Sequence, residues 1–137
     1  MISAAFSRAS IGIVAALLLC GAAVPLHAKD FIKAERPQQR GYSQAVITEG
    51  GKTVWLAGQT ATQDEQGNDI AGNFEAQVRT IFSLLDKTLQ SCGGRLANMV
   101  TMTVFINDVR LGDRFVEMRS GFFPSGNFPA SALITVS

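Results

Sequence analysis

The feature that most constrains this chain is an amphipathic run from Phe74 to Cys92. Phe74, Val78, Ile81, Phe82, Leu85 and Leu89 fall at i, i+4, i+7, i+8, i+11 and i+15, which is one face of a helix. Arg79, Asp86, Lys87 and Gln90 occupy the opposite face. Asn73 is the expected N-cap, Glu75 suits the positive end of the helix dipole, and Gly93-Gly94 stops the run. A helix apolar on one side must cover something, and a sheet is the natural partner.

The flanking segments supply that sheet. Tyr42–Thr48 and Thr53–Gln59 are β-prone runs separated by Glu49-Gly50-Gly51-Lys52, a hairpin signal. Gly58 inside the second run reads as a bulge or as a place of close backbone or ligand approach. Residues 60–73 are a polar loop with room for a short strand near Ile70. Met99–Ile106 is β-branched and nearly continuous in apolarity, which predicts a central strand covered on both faces. Asp113–Phe123 reads as a second helix capped by Asp113, with Phe115, Met118 and Phe122 inward. Pro124, Gly126 and Pro129 form a loop, and Ala132–Val136 begins a last strand. The expected fold is α+β in the order β-β-α-β-α-β, with both helices on one face of the sheet. No turn signal or polar tail follows the last strand, which reads either as a short terminal strand or as a strand cut short within the fold; the family resemblance described below favours the second.

The N-terminus narrows the chemistry. Arg8 is the only charge before Lys29, and residues 11–26 (IGIVAALLLCGAAVPL) are apolar or small. This pattern predicts a secretory signal over residues 1–28, cleaved after Ala28, and a periplasmic or secreted protein. The run is shorter than the ~20 residues needed to span a bilayer, so no stable membrane association is expected after cleavage. A lipoprotein reading through Cys20 is weaker, because Leu19 rather than a small residue precedes it. Removing residues 1–28 leaves 109 residues, eliminates His27 and Cys20, and takes the net charge from +1 to zero. A chain without histidine carries no Ser-His-Asp triad, Cys-His pair or His-ligated zinc. A single cysteine, Cys92, excludes an intrachain disulfide; at the end of the long helix it reads as a buried small hydrophobe. The set Met99, Met102 and Met118 reads as core packing. Residues 29–40, polar and containing Pro37, read as an N-terminal arm ahead of a domain over 41–137.

Several segments resemble, in order, the Rid family (YjgF-like, or L-PSP, proteins). They are Gly41-Tyr42-Ser43-Gln44-Ala45-Val46; Val54-Trp55-Leu56-Ala57-Gly58-Gln59; the helix with Gln77 and Leu85; Gly93-Gly94; Met102-Thr103-Val104-Phe105-Ile106-Asn107-Asp108; and Phe122-Phe123 before Phe128-Pro129-Ala130. The resemblance implies a chorismate-mutase-like α+β fold and a homotrimer with small-molecule clefts between subunits. It implies neither a cofactor nor a metal. Family deaminases hydrolyse amino-acid-derived imines and enamines to a carbonyl compound and ammonia. They clamp the substrate carboxylate with an arginine after Pro-Ala, a match of planar donors to planar acceptors. Here Ser131 stands at that position, Val116 stands where the deaminases often hold an asparagine, and the C-terminal segment bearing their glutamate is absent from this sequence. Tyr42, Ala57, Gly58, Ser131 and Ala132 are the substrate-binding residues the resemblance carries over; no catalytic side chain is assigned. Arg119 could supply a substitute charge, although an arginine at a helical position ordinarily lies on a solvated face. The expected function is binding of a small metabolite, with imine or enamine hydrolysis as its catalytic form and a non-catalytic binding module as the alternative. An RNA-directed activity is opposed by the neutral mature charge and the missing histidine, and no nucleic-acid partner is expected.

Overall fold

Asn73 begins the fold's main helix as its sequence requires: its side-chain oxygen accepts from the Ala76 amide at 3.1 Å. A computed structural model describes residues 29–136, and the expected signal over 1–28 lies outside them. The elements, in chain order, are β1 (Lys29–Ile32), α1 (Glu35–Gln39), β2 (Ala45–Thr48), α2 (Phe74–Ser91), β3 (Thr101–Ile106), α3 (Gly112–Phe122) and β4 (Ala130–Thr135). Short 3₁₀ turns at Leu96–Asn98 and Val109–Leu111 lead into β3 and α3. Helix α2 ends in a Schellman motif: the Gly93 amide donates to the Gln90 carbonyl at 2.9 Å and the Gly94 amide to the Leu89 carbonyl at 2.8 Å. Gly93 takes the left-handed conformation this requires (φ 81°).

Strands β3 and β4 pair in parallel from Thr101↔Ala130 to Ile106↔Thr135, joined through α3. A further bridge, Ser43↔Ala130, ties the segment after α1 to the start of β4. Met102, Val104 and Leu133 face the helices and pack on a core of Val78, Phe82, Phe115, Phe123 and Phe128. Met99 and Met118 pack there too, as expected. Phe82 is the hub of this core. It stacks on Phe122 with centroids 4.1 Å apart and meets Phe123 edge-on at 6.3 Å.

The remaining expectations are corrected by what each segment finds to pair with. Residues 29–40 are not a loose arm: β1 runs antiparallel to β2 from Lys29↔Thr48 to Ile32↔Ala45, and α1 follows β1. Gly50 and Gly51 both adopt positive φ (66° and 83°), the backbone of a tight hairpin turn. Yet Thr53–Gln59 does not fold back on β2. It has no ladder partner among the described residues, and a β-prone run without a neighbour is not a strand. Its Trp55 is 88% exposed. Strand β3 is covered on one face only, leaving Phe105 63% exposed, because this chain supplies a single helical layer. Asp113 does not cap α3. The helix starts one residue earlier, and Asp113 instead pairs with Arg40 at 2.6 Å. Cys92 is an exposed free thiol at the helix end, not a buried hydrophobe. The polar loop does include a small bridge, Gln63↔Asp69, beside the buried Ile70.

Candidate functional site

The site is built where α1, α3 and β4 meet. Helix α1 closes with the same glycine device as α2. The Gly41 amide donates to the Gln38 carbonyl at 3.0 Å and the Tyr42 amide to the Pro37 carbonyl at 3.0 Å, with Gly41 at φ 65°. That turn fixes Arg40 and Tyr42 against α3. A Cβ on Gly41 would lie 2.9 Å from Ser120 Oγ and 3.6 Å from Arg119 Nε, so the backbone approach itself depends on glycine. From α3, Val116 and Arg119 lie three residues apart and share one face. From β4, Ser131 and Leu133 alternate onto the helix-facing side. With Arg40 and Tyr42 these four residues line a pocket of about 220 Å³.

Arg119 is the dominant charge. It is only 2% exposed, although it lines the pocket. Its Nη1 donates to Ser131 Oγ at 2.6 Å and its Nη2 to the Arg40 carbonyl at 2.5 Å. The guanidinium carbon sits 5.2 Å from the centre of the Phe115 ring, within cation–π range. Its Nε is buried without a hydrogen-bond partner. Burial pulls the Arg119 pKa down to about 10; the nearby Arg40 charge acts in the same direction and Tyr42 opposes it. The group stays charged at neutral pH.

The chemistry available here is recognition rather than proton transfer. The lining holds two guanidiniums, one phenol and one serine hydroxyl, and neither a carboxylate nor an imidazole. Among the described residues no cluster of three or more His, Cys, Asp or Glu side chains is placed to hold a metal ion.

The family model of endoribonuclease L-PSP matches residues 33–137. The chain belongs to this family, that of the Rid and YjgF-like proteins. It is 29% identical over 112 residues to a RutC family protein of Pyrococcus abyssi, covering 80% of this chain and 86% of that one. It is 33% identical over 98 residues to the protein DfrA of Myxococcus xanthus, covering 70% and 72% respectively. The crystal structure of YyfB, a Rid-family protein of Yersinia pestis, superposes with a TM-score of 0.69 at 21% identity, over 80% of this chain and 86% of that one. The fold is the family's chorismate-mutase-like α+β fold.

Within that L-PSP fold, the expected site residues separate into two groups. Tyr42 and Ser131 come together in the pocket. Ala132 projects from the opposite, open face of β4, in register with the exposed Thr103. Ala57 and Gly58 lie in the unpaired 53–59 segment, are not among the residues lining this pocket, and a Cβ on Gly58 would meet nothing within 4 Å. Within one chain, then, Gly58 marks no bulge and no close approach. Arg119 is the reverse case, buried where a solvated arginine was expected. The signal was in the periodicity: Phe115, Arg119 and Phe122 fall at i, i+4 and i+7. Arg40 and Leu133 are pocket residues that no sequence pattern singled out; Arg40 enters through the unforeseen helix α1.

Proposed function

We propose that this Rid-family chain binds a small metabolite in the pocket between Tyr42, Val116, Arg119 and Ser131. The observation that carries the reading is the convergence of a buried charged side chain, Arg119, with Tyr42 and Ser131 around one small cavity. At about 220 Å³ the cavity is below the ~300–1,000 Å³ of drug-sized sites, which suits a ligand of few carbons. The N-terminal run supports export to the periplasm or the medium.

Assembly into a homotrimer belongs to the same proposal. Phe105, Ile134 and Val136 are exposed large hydrophobics on or beside the open face of the β3–β4 sheet, and Val54 and Trp55 add to the uncovered apolar surface. A second copy of the chain is the covering partner that the family suggests, with the metabolite cleft at the subunit boundary.

Hydrolysis of an imine or enamine, in which water adds to the imine carbon and ammonia leaves as the carbonyl forms, is a second reading. The Tyr42 phenol in the pocket favours it, as the one lining group besides Ser131 able both to donate and to accept. Binding is the primary reading because the lining lacks a carboxylate or imidazole base. The test is a thermal-shift screen of small metabolites on the purified mature chain, with ammonia release from freshly generated 2-imino acids measured alongside. Stabilisation without ammonia supports a binding module, and turnover supports the hydrolase. If no small molecule shifts the melting temperature and no ammonia appears, the proposal fails.

A further inference from the structure

Thr53–Gln59 and strand β2 leave matching vacancies. The segment has the composition of a strand and no charged residue, yet none of its backbone groups enters a backbone hydrogen bond among the described residues. Its Val54 and Trp55 are exposed. Strand β2 has β1 on one edge, and along Ala45–Thr48 its other edge has no ladder partner among the described residues. An unpaired strand edge presents N–H and C=O groups that a neighbouring strand satisfies. Each chain thus holds a strand without an edge and an edge without a strand.

The two vacancies are complementary in sequence. A two-residue turn at Gly50-Gly51 sets the register: Glu49 opposite Lys52, Thr48 opposite Thr53, Ile47 opposite Val54, Val46 opposite Trp55 and Ala45 opposite Leu56. The first of these pairs joins opposite charges. From the other side of β2, Phe31 of β1 already opposes Val46, so Trp55 would extend an apolar row Phe31–Val46–Trp55 across three strands. On the other face Val54 would cover Ile47, which is half exposed. Opposed pairs of these kinds are what stabilise an antiparallel ladder. In this fold Gly50 and Gly51 make their turn, but the chain beyond them leaves β2. The strand that fits the open edge in this register is therefore the 53–59 segment of another copy, since every copy carries one of each.

We propose that copies of this chain exchange the segment after β2: Thr53–Leu56 of one copy pairs antiparallel with the open edge of β2 in another, and Glu49–Lys52 is the hinge. Exchange of an identical element is a low-cost route to assembly, because it makes between chains the contacts that a closed hairpin makes within one. Reciprocal in a dimer, or passed around the ring in a trimer, it leaves no strand and no edge unpaired. It goes beyond the covering of the open β3–β4 face, which buries apolar side chains and adds no strand to β2.

Disulfide trapping tests the exchange. Cys92, an exposed free thiol, is first replaced (Cys92→Ser). In that background one chain carries Thr48→Cys and another Thr53→Cys, both at exposed positions, and the two are refolded together. Opposed residues of antiparallel strands have Cα atoms about 4.5–5.5 Å apart, within reach of a disulfide. Mild oxidation should give a covalent dimer holding one chain of each kind, read on a non-reducing gel and by mass. Ile47→Cys in place of Thr48→Cys is one residue out of register and faces the other side, so the crosslinked yield should fall at least ~10-fold. The doubly substituted Thr48→Cys/Thr53→Cys chain, which needs no refolding, should crosslink between chains. An intrachain bond in that protein means a closed hairpin and overturns the exchange. So does the absence of any mixed dimer, or an equal yield from Ile47→Cys. Light scattering on the unaltered protein separates this inference from the trimer reading. A trimer whose variants give no mixed disulfide removes the exchange alone, and a monomer removes both.

Discussion

Gly41→Ala is the substitution whose cost the structure separates into two parts. The first is conformational. Gly41 sits at φ 65°, and an L-residue with a Cβ loses roughly 1–2 kcal/mol in that region. The second is steric. The new Cβ would lie 2.9 Å from Ser120 Oγ, and that hydroxyl is anchored to the Val116 carbonyl at 3.0 Å. Relieving the contact means rotating Ser120 and losing that bond, about 1 kcal/mol. The total is about 2–3 kcal/mol, a large share of the 5–15 kcal/mol typical of a domain. Urea unfolding followed by circular dichroism reads it as a lowered midpoint with an unchanged slope. In a Ser120→Ala background the steric part disappears, so adding Gly41→Ala should cost only the ~1–2 kcal/mol conformational part. Gly41→Asn in that background should cost less than Gly41→Ala, because asparagine tolerates the left-handed region. A Gly41→Ala cost below about 0.5 kcal/mol, within the range of ordinary surface changes, would refute the cap. The same cost in both backgrounds would refute the close approach.

Three further outcomes follow from the packing and the charges. Phe82→Ala, at the hub of the aromatic core, should cost about 3–5 kcal/mol in the same urea assay, and less than about 1 kcal/mol would mean that the core is organised elsewhere. The Arg114 guanidinium holds the Glu75 carboxyl below the usual glutamate range. A depressed carboxyl pKa adds stability above its unfolded value near ~4.3 and loses it as pH falls through the folded value. Glu75→Gln should therefore destabilise the protein at pH 7 but not at pH 2, more so at low salt; equal effects at both pH values would contradict this. Trp55 is the sole tryptophan, so its emission reports on the 53–59 segment. If a second copy covers that segment, dilution should shift the emission to the red and raise iodide quenching; concentration-independent quenching would rule out such coverage.

The main helix, α2, is readable because its signals are local. Asn73, the buried Val78, Phe82 and Leu89 of α2 and the Gly93-Gly94 stop lie within one stretch of chain, and each does what its position predicts. The sheet is less readable because a strand exists only with a neighbour. Thr53–Gln59 has the composition of a strand and has no ladder partner among the described residues, whereas Lys29–Ile32, which sits in a stretch that reads as an arm, pairs with β2. Pairing across such distances is a tertiary property, and β-propensity measures only fitness for a pleated surface. The two glycines at 50 and 51 illustrate the limit: the turn forms, and the hairpin it ordinarily makes does not.

The site was half legible for a related reason. Tyr42 and Ser131 can be carried over by resemblance because they keep their places in the chain, but Ser131 taken alone reads as a lost charge. The structure puts a guanidinium 2.6 Å from that serine, delivered from helix α3 instead of strand β4. Sequence comparison scores positions one at a time, while a pocket integrates charge over space. Arg119, twelve residues upstream of Ser131, can thus restore to the cavity what position 131 lacks. The exchange has a geometric consequence. A charge carried on α3 depends on the α1–α3 contact at Gly41 and on the Arg40 carbonyl, so N-terminal residues that look like an arm help to shape the pocket. If the pocket binds a metabolite as proposed, its affinity by isothermal titration should therefore respond to substitutions at Gly41, which lies outside the pocket lining, as strongly as to substitutions at Ser131, which lines it.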